Sequence, residues 1–584
     1  MPLILSRPLF ALALAAMVSP VPMWAADEDA GAYLAARSAV IASDYREAAT
    51  WFNRALLVDP GNPRLLDGAL VGRISLGDFQ GAKVIADQVV ALDLKSQASS
   101  IALIADQAKR GAFEEILQAQ ADGHRINDAM DQLVAAWAKV GSGNMTEALD
   151  GFDKIAATKG LEAFGLYHKA LALASVGDFE GADKLMSGDL QLMRRGVIAH
   201  AQILSQLERN ADARALLDKE FGTEQDPVVD AVRAQLDAGK TVPFDMARNA
   251  TDGIAEVFFT VGAALNGEAA DGYTLVYARV ASYLRPDHTD SILMVGGLLQ
   301  QQGQADLAIE TYAQIPPENP AFYAAEIGRA DAMWAKDDKE GAIAVLKKLA
   351  ETNPNVVLVQ LSLGDMLRKD EQFDAASKAY DRALALVKNV DERHWVIFYS
   401  RGISNERSKR WDRADADFRK ALELKPGQPL VLNYLGYSLV ERGENLDEAL
   451  GMIQQAVNAS PDSGYIIDSL AWALFMLGRY DEALAPMEKA SLLEPVDPIV
   501  TDHLGDVYWS VGRKLEAEFQ WHRALSFDPE PDQAKRIKRK LEVGLDAVLK
   551  EEGAKPLNAR SAAIDAKPAT PKAVTEDGAA TDGN

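Results

Sequence analysis

Small and bulky residues follow one another in a fixed order along the second half of the chain. A glycine or alanine is followed 12 or 13 residues later by an alanine, and four residues further on by a large side chain. The three sets are Gly364, Gly402, Gly436, Ala471 and Gly505; Ala376, Ala414, Ala449, Ala483 and Ala517; and Tyr380, Phe418, Ile453, Met487 and Trp521. Small residues let two helix backbones approach closely, and a large one fills the space beside them. The pattern predicts pairs of antiparallel helices.

Prolines repeat with the same period. Successive prolines are 34 or 35 residues apart, except for one interval of 72 that contains two units and an insertion around 387–393. They are Pro286, Pro320, Pro354, Pro426, Pro461, Pro495 and Pro529. Because proline cannot continue a helix, each one ends a repeat. A period near 34 predicts an all-α fold, a superhelical solenoid of helix pairs, whereas longer HEAT-like units and coiled-coil heptads fit poorly.

The repeat resembles that of the tetratricopeptide-repeat (TPR) family, with turn sequences such as Leu477-Gly478-Arg479-Tyr480 between the two helices. Upstream units are less regular, for example Asp44-Tyr45-Arg46-Glu47-Ala48 and Gly177-Asp178-Phe179-Glu180-Gly181-Ala182. We therefore expect a degenerate TPR segment at 26–220 and an array of about eight repeats at 253–531. The stretch 221–252 is either a junction between two segments or a run of irregular repeats without a boundary, and Val242-Pro243 interrupts any helix there.

The two ends of the chain have different compositions from the repeats. At the N-terminus, Arg7 precedes an apolar run from Leu9 to Val18 and a small-residue stretch at Ala25, which predicts a signal peptide at 1–25. An uncleaved anchor is the alternative, but the run is shorter than the roughly 20 residues that span a bilayer. At the other end, the apolar spacing predicts a capping helix at 532–550. Composition predicts a disordered tail at 551–584.

Charge and cysteine content exclude several kinds of partner. The chain has 61 Lys and Arg against 86 Asp and Glu, a net charge of −25, which repels nucleic acid. It contains no cysteine, so it forms no disulfide and is not lipid-anchored through its own cysteine. No later stretch is long and apolar enough for an integral membrane span.

Catalytic motifs are absent from the sequence. The seven histidines are scattered singly, without metal-ligand spacing, and no phosphate-binding glycine loop or nucleophile elbow occurs. We therefore expect no enzyme activity, no catalytic residue, no cofactor and no metal.

A candidate ligand surface follows from the repeat register. If the small residue of each first helix is position eight, then positions five and nine lie one turn apart on the inner side of the solenoid. They are Leu361 and Asp365, Tyr399 and Ile403, Asn433 and Tyr437, Asp468 and Trp472, and Asp502 and Asp506. An amide can bind a peptide backbone, aromatics can anchor apolar groups, and carboxylates can bind basic groups.

We assign peptide binding to eight of these residues: Asp365, Tyr399, Asn433, Tyr437, Asp468, Trp472, Asp502 and Asp506. The alternative is that the aromatics only contact neighbouring helices and that the carboxylates are solvated or cap helices. The surface lacks the Lys and Asn arrangement with which some TPR domains clamp a C-terminal carboxylate.

A narrower resemblance rests on three runs, Leu432–Leu439, Asp468–Trp472 and Asp502–Trp509. They resemble exported TPR proteins of Gram-negative bacteria, of the alphaproteobacterial type, and more distantly the lipoprotein adaptor of a carboxy-terminal processing protease. The resemblance implies a periplasmic, non-enzymatic scaffold or adaptor that binds an envelope protein or peptide, for example a periplasmic protease or cell-wall enzyme. The alternative is a structural component of an envelope or secretion assembly.

Overall fold

A computed structural model describes residues 24–188, 190–222, 226–267, 271–554 and 556–557. Within these ranges the chain forms α-helices and one short 3₁₀ helix, without a strand. The all-α solenoid class predicted from the repeat is confirmed. Most of the predicted signal peptide and most of the predicted disordered tail lie outside the described residues.

The described residues fall into two compact units. The first extends to Asp370 and also takes in Ala385–Lys388, and the second comprises Glu371–Leu384 and the residues from Asn389 onward. The helices that begin in the first unit are α1 Trp24–Ile41, α2 Tyr45–Leu56, α3 Pro63–Leu76, α4 Phe79–Ala91, α5 Gln97–Arg110, α6 Phe113–Ala121, α7 Asp128–Gly141, α8 Met145–Ala156, α9 Glu162–Ser175, α10 Phe179–Met186, α11 Arg194–Gln206, α12 Asn210–Phe221, α13 Pro227–Asp237, α14 Ala250–Leu265, α15 Asp271–Leu284, α16 Thr289–Gln301, α17 Ala305–Tyr312, α18 Phe322–Ala335, α19 Lys339–Thr352 and α20 Val357–Lys369.

The helices of the second unit follow the same alternation of first and second helices. They are α21 Phe373–Leu386, α22 Trp395–Arg407, α23 Trp411–Leu424, α24 Pro429–Arg442, α25 Leu446–Ala459, α26 Gly464–Met476, α27 Tyr480–Leu493, α28 Pro498–Ser510, α29 Lys514–Leu525, α30 Pro531–Val543 and α31 Leu545–Glu551, with a 3₁₀ turn at Glu392–His394.

Close packing between the two helices of a repeat explains why small residues recur. A Cβ atom added to Gly402 on α22 would lie 2.6 Å from the ring of Phe418 on α23. At Gly505 on α28, an added Cβ would overlap the Trp521 ring in the same way. In these two repeats the bulky residue of the second helix therefore lies directly against the small residue of the first helix.

Local signals in the sequence set the helix ends. The Asp497 carboxylate accepts hydrogen bonds from the backbone amides of Ile499 and Val500, at 2.8 and 2.9 Å, and so caps α28 at its N-terminus. Between α26 and α27, Gly478 has φ +78°, a conformation that glycine adopts without a steric penalty. These signals keep the connections within a repeat and between repeats to a few residues.

In the first unit, helices on both sides of the stretch 221–252 share one hydrophobic core. Ile254 and Phe258 of α14 belong to the same buried cluster as Leu133 and Trp137 of α7. An added Cβ at Gly253 would overlap the Trp137 ring, which measures how closely the two helices approach. Whether 221–252 is a junction between repeat segments stays a prediction.

The predicted single capping helix at 532–550 is in fact two helices, α30 and α31. The break falls at Gly544, whose φ of +82° is incompatible with a continuous right-handed helix. Ile537, Leu545 and Leu549 are buried in the hydrophobic core of the second unit.

Candidate functional site

Three first helices and the end of a fourth surround a pocket in the second unit. Its volume is about 320 Å³, and its walls come from α22, α24, α26 and α28. The lining residues are Glu406, Arg407, Asn433, Tyr434, Tyr437, Ser438, Glu441, Tyr465, Asp468, Ser469, Ile499 and His503. Three of the predicted residues, Asn433, Tyr437 and Asp468, are therefore brought together.

Asn433 presents an unused hydrogen-bond acceptor in this pocket. Its Nδ2 donates to the Ser469 hydroxyl at 3.2 Å, which orients the amide. Its Oδ1 is buried and has no hydrogen-bond partner among the residues that the structure describes. A buried acceptor without a partner costs about 1–3 kcal/mol, so a ligand that donates a hydrogen bond to it gains that energy back.

Carboxylates dominate the charge of the pocket. Glu406 accepts a hydrogen bond from the Tyr434 hydroxyl at 3.2 Å. Its carboxylate also interacts electrostatically with that of Glu441. Burial and that neighbouring charge raise the pKa of Glu441 above its usual range. Burial and Glu441 likewise raise the pKa of Tyr437, which therefore stays a neutral phenol. A cation entering the pocket would relieve the repulsion between the two glutamates.

The third carboxylate, Asp468, is paired with a histidine. His503 lies with its Nδ1 3.0 Å from the Asp468 carboxylate, and its ring is stacked on Trp472 at a centroid distance of 3.8 Å. Burial opposes protonation, but the attraction of Asp468 outweighs it and raises the pKa of His503. Trp472 is therefore not a lining residue of the pocket. Its ring packs against His503, which is one.

Two other predicted residues lie outside the pocket. The Tyr399 ring contacts the rings of Tyr434 and Phe418, at centroid distances of 6.0 and 6.2 Å. Asp365 belongs to the first unit, where its carboxylate lies 3.5 Å from the Arg368 guanidinium.

Asp502 and Asp506 are engaged inside the protein. Both carboxylates are buried, and the Lys540 ammonium of α30 lies 2.7 Å from Asp502 and 2.6 Å from Asp506. Asp506 also accepts a hydrogen bond from the Trp521 indole at 2.9 Å. In this structure the two aspartates bind Lys540 of α30, and neither is among the residues that line the pocket.

The prediction missed several pocket residues because it considered only positions five and nine. Tyr465 lies three residues before Asp468, and Glu441 lies four residues after Tyr437, so both were within reach of the same helical periodicity. In the sequence His503 stands as an isolated histidine, since its partner Asp468 is one repeat away.

A second pocket, of about 650 Å³, lies in the first unit. Its basic groups are already engaged: the Lys109 ammonium donates to the carbonyls of Tyr283 and Leu284, and Arg110 pairs with two acids. Among the described side chains, no group of three or more His, Asp or Glu is arranged to hold a metal ion. No helix in the described ranges is both long and apolar enough to cross a bilayer.

Residues 361–429 and 434–494 match the family model for the tetratricopeptide repeat. These stretches include all of α22 and α26 and most of α24, three of the pocket's four helices. The predicted repeat family is confirmed over these residues. The exported, alphaproteobacterial type and the likeness to a protease adaptor stay predictions.

Curated relatives match parts of the chain. A TPR repeat-containing protein of Pseudomonas aeruginosa is 27% identical over 36% of this chain and 35% of its own length. Anaphase-promoting complex subunit 3 of Schizosaccharomyces pombe is 21% identical over 30% of this chain and 25% of its own length. The E3 ubiquitin-protein ligase CHIP of Arabidopsis thaliana is 28% identical over 20% of this chain and 42% of its own length. The chain thus spans less than half the length of each of these relatives.

Solved structures give matches of low similarity. The anaphase-promoting complex hetero-tetramer Cut9-Hcn1 matches with a TM-score of 0.38 and 15% identity, over 88% of this chain and 96% of the other. Yeast Tom70 matches with a TM-score of 0.34 and 13% identity, over 93% of this chain and 99% of the other.

Proposed function

We propose that this protein is a non-enzymatic scaffold that holds a peptide segment of another protein in the pocket formed by α22, α24, α26 and α28. One observation carries the proposal: the unpaired Oδ1 of Asn433 lies in a pocket that also contains Glu406, Glu441 and Asp468. Such a pocket offers acceptors and negative charge, and therefore selects a ligand that brings hydrogen-bond donors.

A peptide meets these requirements better than a small anion or an apolar metabolite. Its backbone supplies amide donors at regular intervals, and its side chains can supply a positive charge. A volume of about 320 Å³ is at the lower end of ligand pockets, and it suits one or two side chains of a longer bound segment. The remaining contacts would lie along the neighbouring first helices. The relative from Schizosaccharomyces pombe is itself a subunit of a protein complex.

The site of action in this proposal is the periplasm of a Gram-negative bacterium. Support comes from the N-terminal pattern of Arg7, the apolar run Leu9–Val18 and the small residues at Ala25. The partner would then be an envelope protein, such as a periplasmic protease or a cell-wall enzyme, that the scaffold presents or positions. Fusing residues 1–60 to alkaline phosphatase, which needs oxidised disulfides to be active, tests the location; an inactive fusion contradicts it.

The binding function is tested by capture of partners from a periplasmic extract on the immobilised full chain. The test variant is the double substitution Asn433→Ala and Glu441→Gln, which removes an acceptor and a negative charge from the pocket. The control is Asn458→Ala, which changes an exposed asparagine on the second helix α25.

We expect the control to capture the same proteins as the wild type and the double variant to lose them. Equal capture by all three proteins would show that the pocket does not bind the partner. Loss with the control as well would indicate a defect of folding, which thermal unfolding followed by circular dichroism detects.

A further inference from the structure

One position of the repeat carries an exposed apolar side chain in four successive first helices of the second unit. Counted back six residues from the small residue of each helix, it is occupied by Val396, Leu430, Tyr465 and Ile499. Their exposed fractions are 44%, 51%, 57% and 49%. We call these four residues the apolar stripe. Helix packing alone does not explain it, because a side chain needed for the core would be buried at this position.

The apolar stripe borders the pocket. Tyr465 and Ile499 are themselves among the residues that line it. Leu430 lies three residues before Asn433 on α24, which places the two side chains on the same face of that helix. An occupant of the pocket would therefore meet the stripe as well.

The spacing of the stripe limits the conformation of its ligand. The first helices α24, α26 and α28 are neighbours in space, and packed helices lie about 8–10 Å apart. A chain in the extended polyproline II conformation rises about 3.1 Å per residue with three residues per turn, so every third side chain lies on the same face and meets the next helix. A helical ligand would advance only about 4.5 Å in three residues, and its successive turns would fall out of register with the stripe.

The charge beside the stripe limits the composition of the ligand. Glu406, Glu441 and Asp468 are opposed in the pocket by Arg407 and by His503, which is bound to Asp468. Arg407 is the one guanidinium among these lining residues, and the Oδ1 of Asn433 has no hydrogen-bond partner among the described residues. A lysine or arginine side chain supplies both the positive charge and the hydrogen-bond donors that this arrangement lacks.

We propose that the ligand is a segment of another protein in the extended polyproline II conformation, with an apolar residue at every third position and one Lys or Arg that enters the pocket beside Tyr465 and Ile499. This proposal rests on the proposed peptide-binding function and adds the sequence pattern of the partner. Apolar side chains are buried against the stripe, and the basic side chain fixes the register of the segment.

The experiment selects phage-displayed random dodecapeptides on the full chain and then measures the affinity of the enriched peptide by fluorescence anisotropy. We expect enrichment of apolar residues at i, i+3 and i+6 with one basic residue. Enrichment at i, i+4 and i+7, or of acidic peptides, overturns the proposal. Absence of any enrichment counts against both this proposal and the peptide-binding function.

Variants of the stripe give the second readout. The triple variant Leu430→Ser, Tyr465→Ser and Ile499→Ser should weaken the enriched peptide at least about tenfold, because three apolar contacts are lost. The matched control, Leu492→Ser, Leu515→Ser and Phe519→Ser, changes three residues that are even more exposed but lie on the second helices α27 and α29. It should change the affinity less than about twofold.

These variants separate the two proposals. Binding that the stripe triple variant keeps, but that Asn433→Ala abolishes, overturns the ligand pattern and leaves the pocket in place. Equal losses in the stripe and control variants contradict a specific stripe. Self-association of the full chain that disappears in the stripe variant, seen by light scattering, would identify a second copy as the occupant and overturn the proposal.

Discussion

The ammonium nitrogen of Lys540 lies 2.6 Å from the Asp506 carboxylate, and both side chains are fully buried. Lys540 is on α30. Asp506 is on α28, which is the first helix of the last repeat. Removing one partner of a buried ion pair leaves the other charge without compensation, which costs about 3–5 kcal/mol. The pair therefore holds the C-terminal helices onto the repeats.

This relationship predicts the effect of Lys540→Met. The variant should lower the free energy of unfolding of the second unit by about 3 kcal/mol, measured by urea denaturation, because two buried aspartates lose their shared cation. The control Lys538→Met changes an exposed lysine on the same helix and should stay within about 0.5 kcal/mol of the wild type. A loss as small as that of the control would show that α30 does not depend on the pair.

A second buried charge, Glu256 on α14, connects distant parts of the first unit. Its carboxylate accepts hydrogen bonds from Arg195 and Tyr167 at 2.9 Å and lies 3.1 Å from the Nε2 of His288. Glu256→Gln should destabilise this unit by about 3–5 kcal/mol, since Arg195 would keep its charge and lose its buried partner. Glu180→Gln, an exposed glutamate on α10, is the control. Urea denaturation followed by tryptophan fluorescence measures both.

Glu256 also makes the stability of the first unit depend on pH, in a direction that its lowered pKa determines. Burial raises the pKa of Glu256, but Arg195 and His288 outweigh burial and hold the pKa well below the ordinary value of 4.5. Its contribution to stability is therefore present above about pH 4.5 and is lost as the pH falls toward the folded-state pKa. Wild type should lose more stability than Glu256→Gln between pH 5 and pH 3. Parallel losses in the two proteins would contradict the assignment.

His503 should titrate in the opposite sense. Its pKa is raised above 6.5 by Asp468, so its contribution to stability is present below pH 6.5 and is lost as the pH rises through the folded-state pKa. Asp468→Asn removes the attraction and should lower the pKa of His503, which NMR titration of the imidazole protons measures directly. An unchanged pKa in this variant would mean that Asp468 is not its main partner.

Two glycines in the repeats should respond in opposite directions to the same substitution. An added Cβ at Gly505 overlaps Trp521, so Gly505→Ala should destabilise the second unit by about 1–3 kcal/mol. Gly451 is an exposed residue within α25 and has nothing near its Cβ position, so Gly451→Ala should stabilise by about 0.5–1 kcal/mol. Two changes of the same sign, in thermal unfolding, would contradict the packing described for the repeat.

The sequence was sufficient to predict the repeats, because the spacing of small and bulky residues is set by contacts within one helix pair, such as Gly402 with Phe418. It was sufficient for part of the pocket, since Asn433, Tyr437 and Asp468 follow from the register of the first helices. It could not assign Asp502 and Asp506, because their partner Lys540 lies on a helix outside the repeat pattern. The apolar residues that predict that helix give no sign of a buried lysine.

The measurement that tests the central claim most directly is hydrogen–deuterium exchange of the full chain with and without the enriched peptide. Peptide binding in the pocket should slow exchange in the first helices α24, α26 and α28, whose side chains line it, and should leave the second helices α25, α27 and α29 unchanged. Protection confined to the second helices, or to the first unit, would contradict the account.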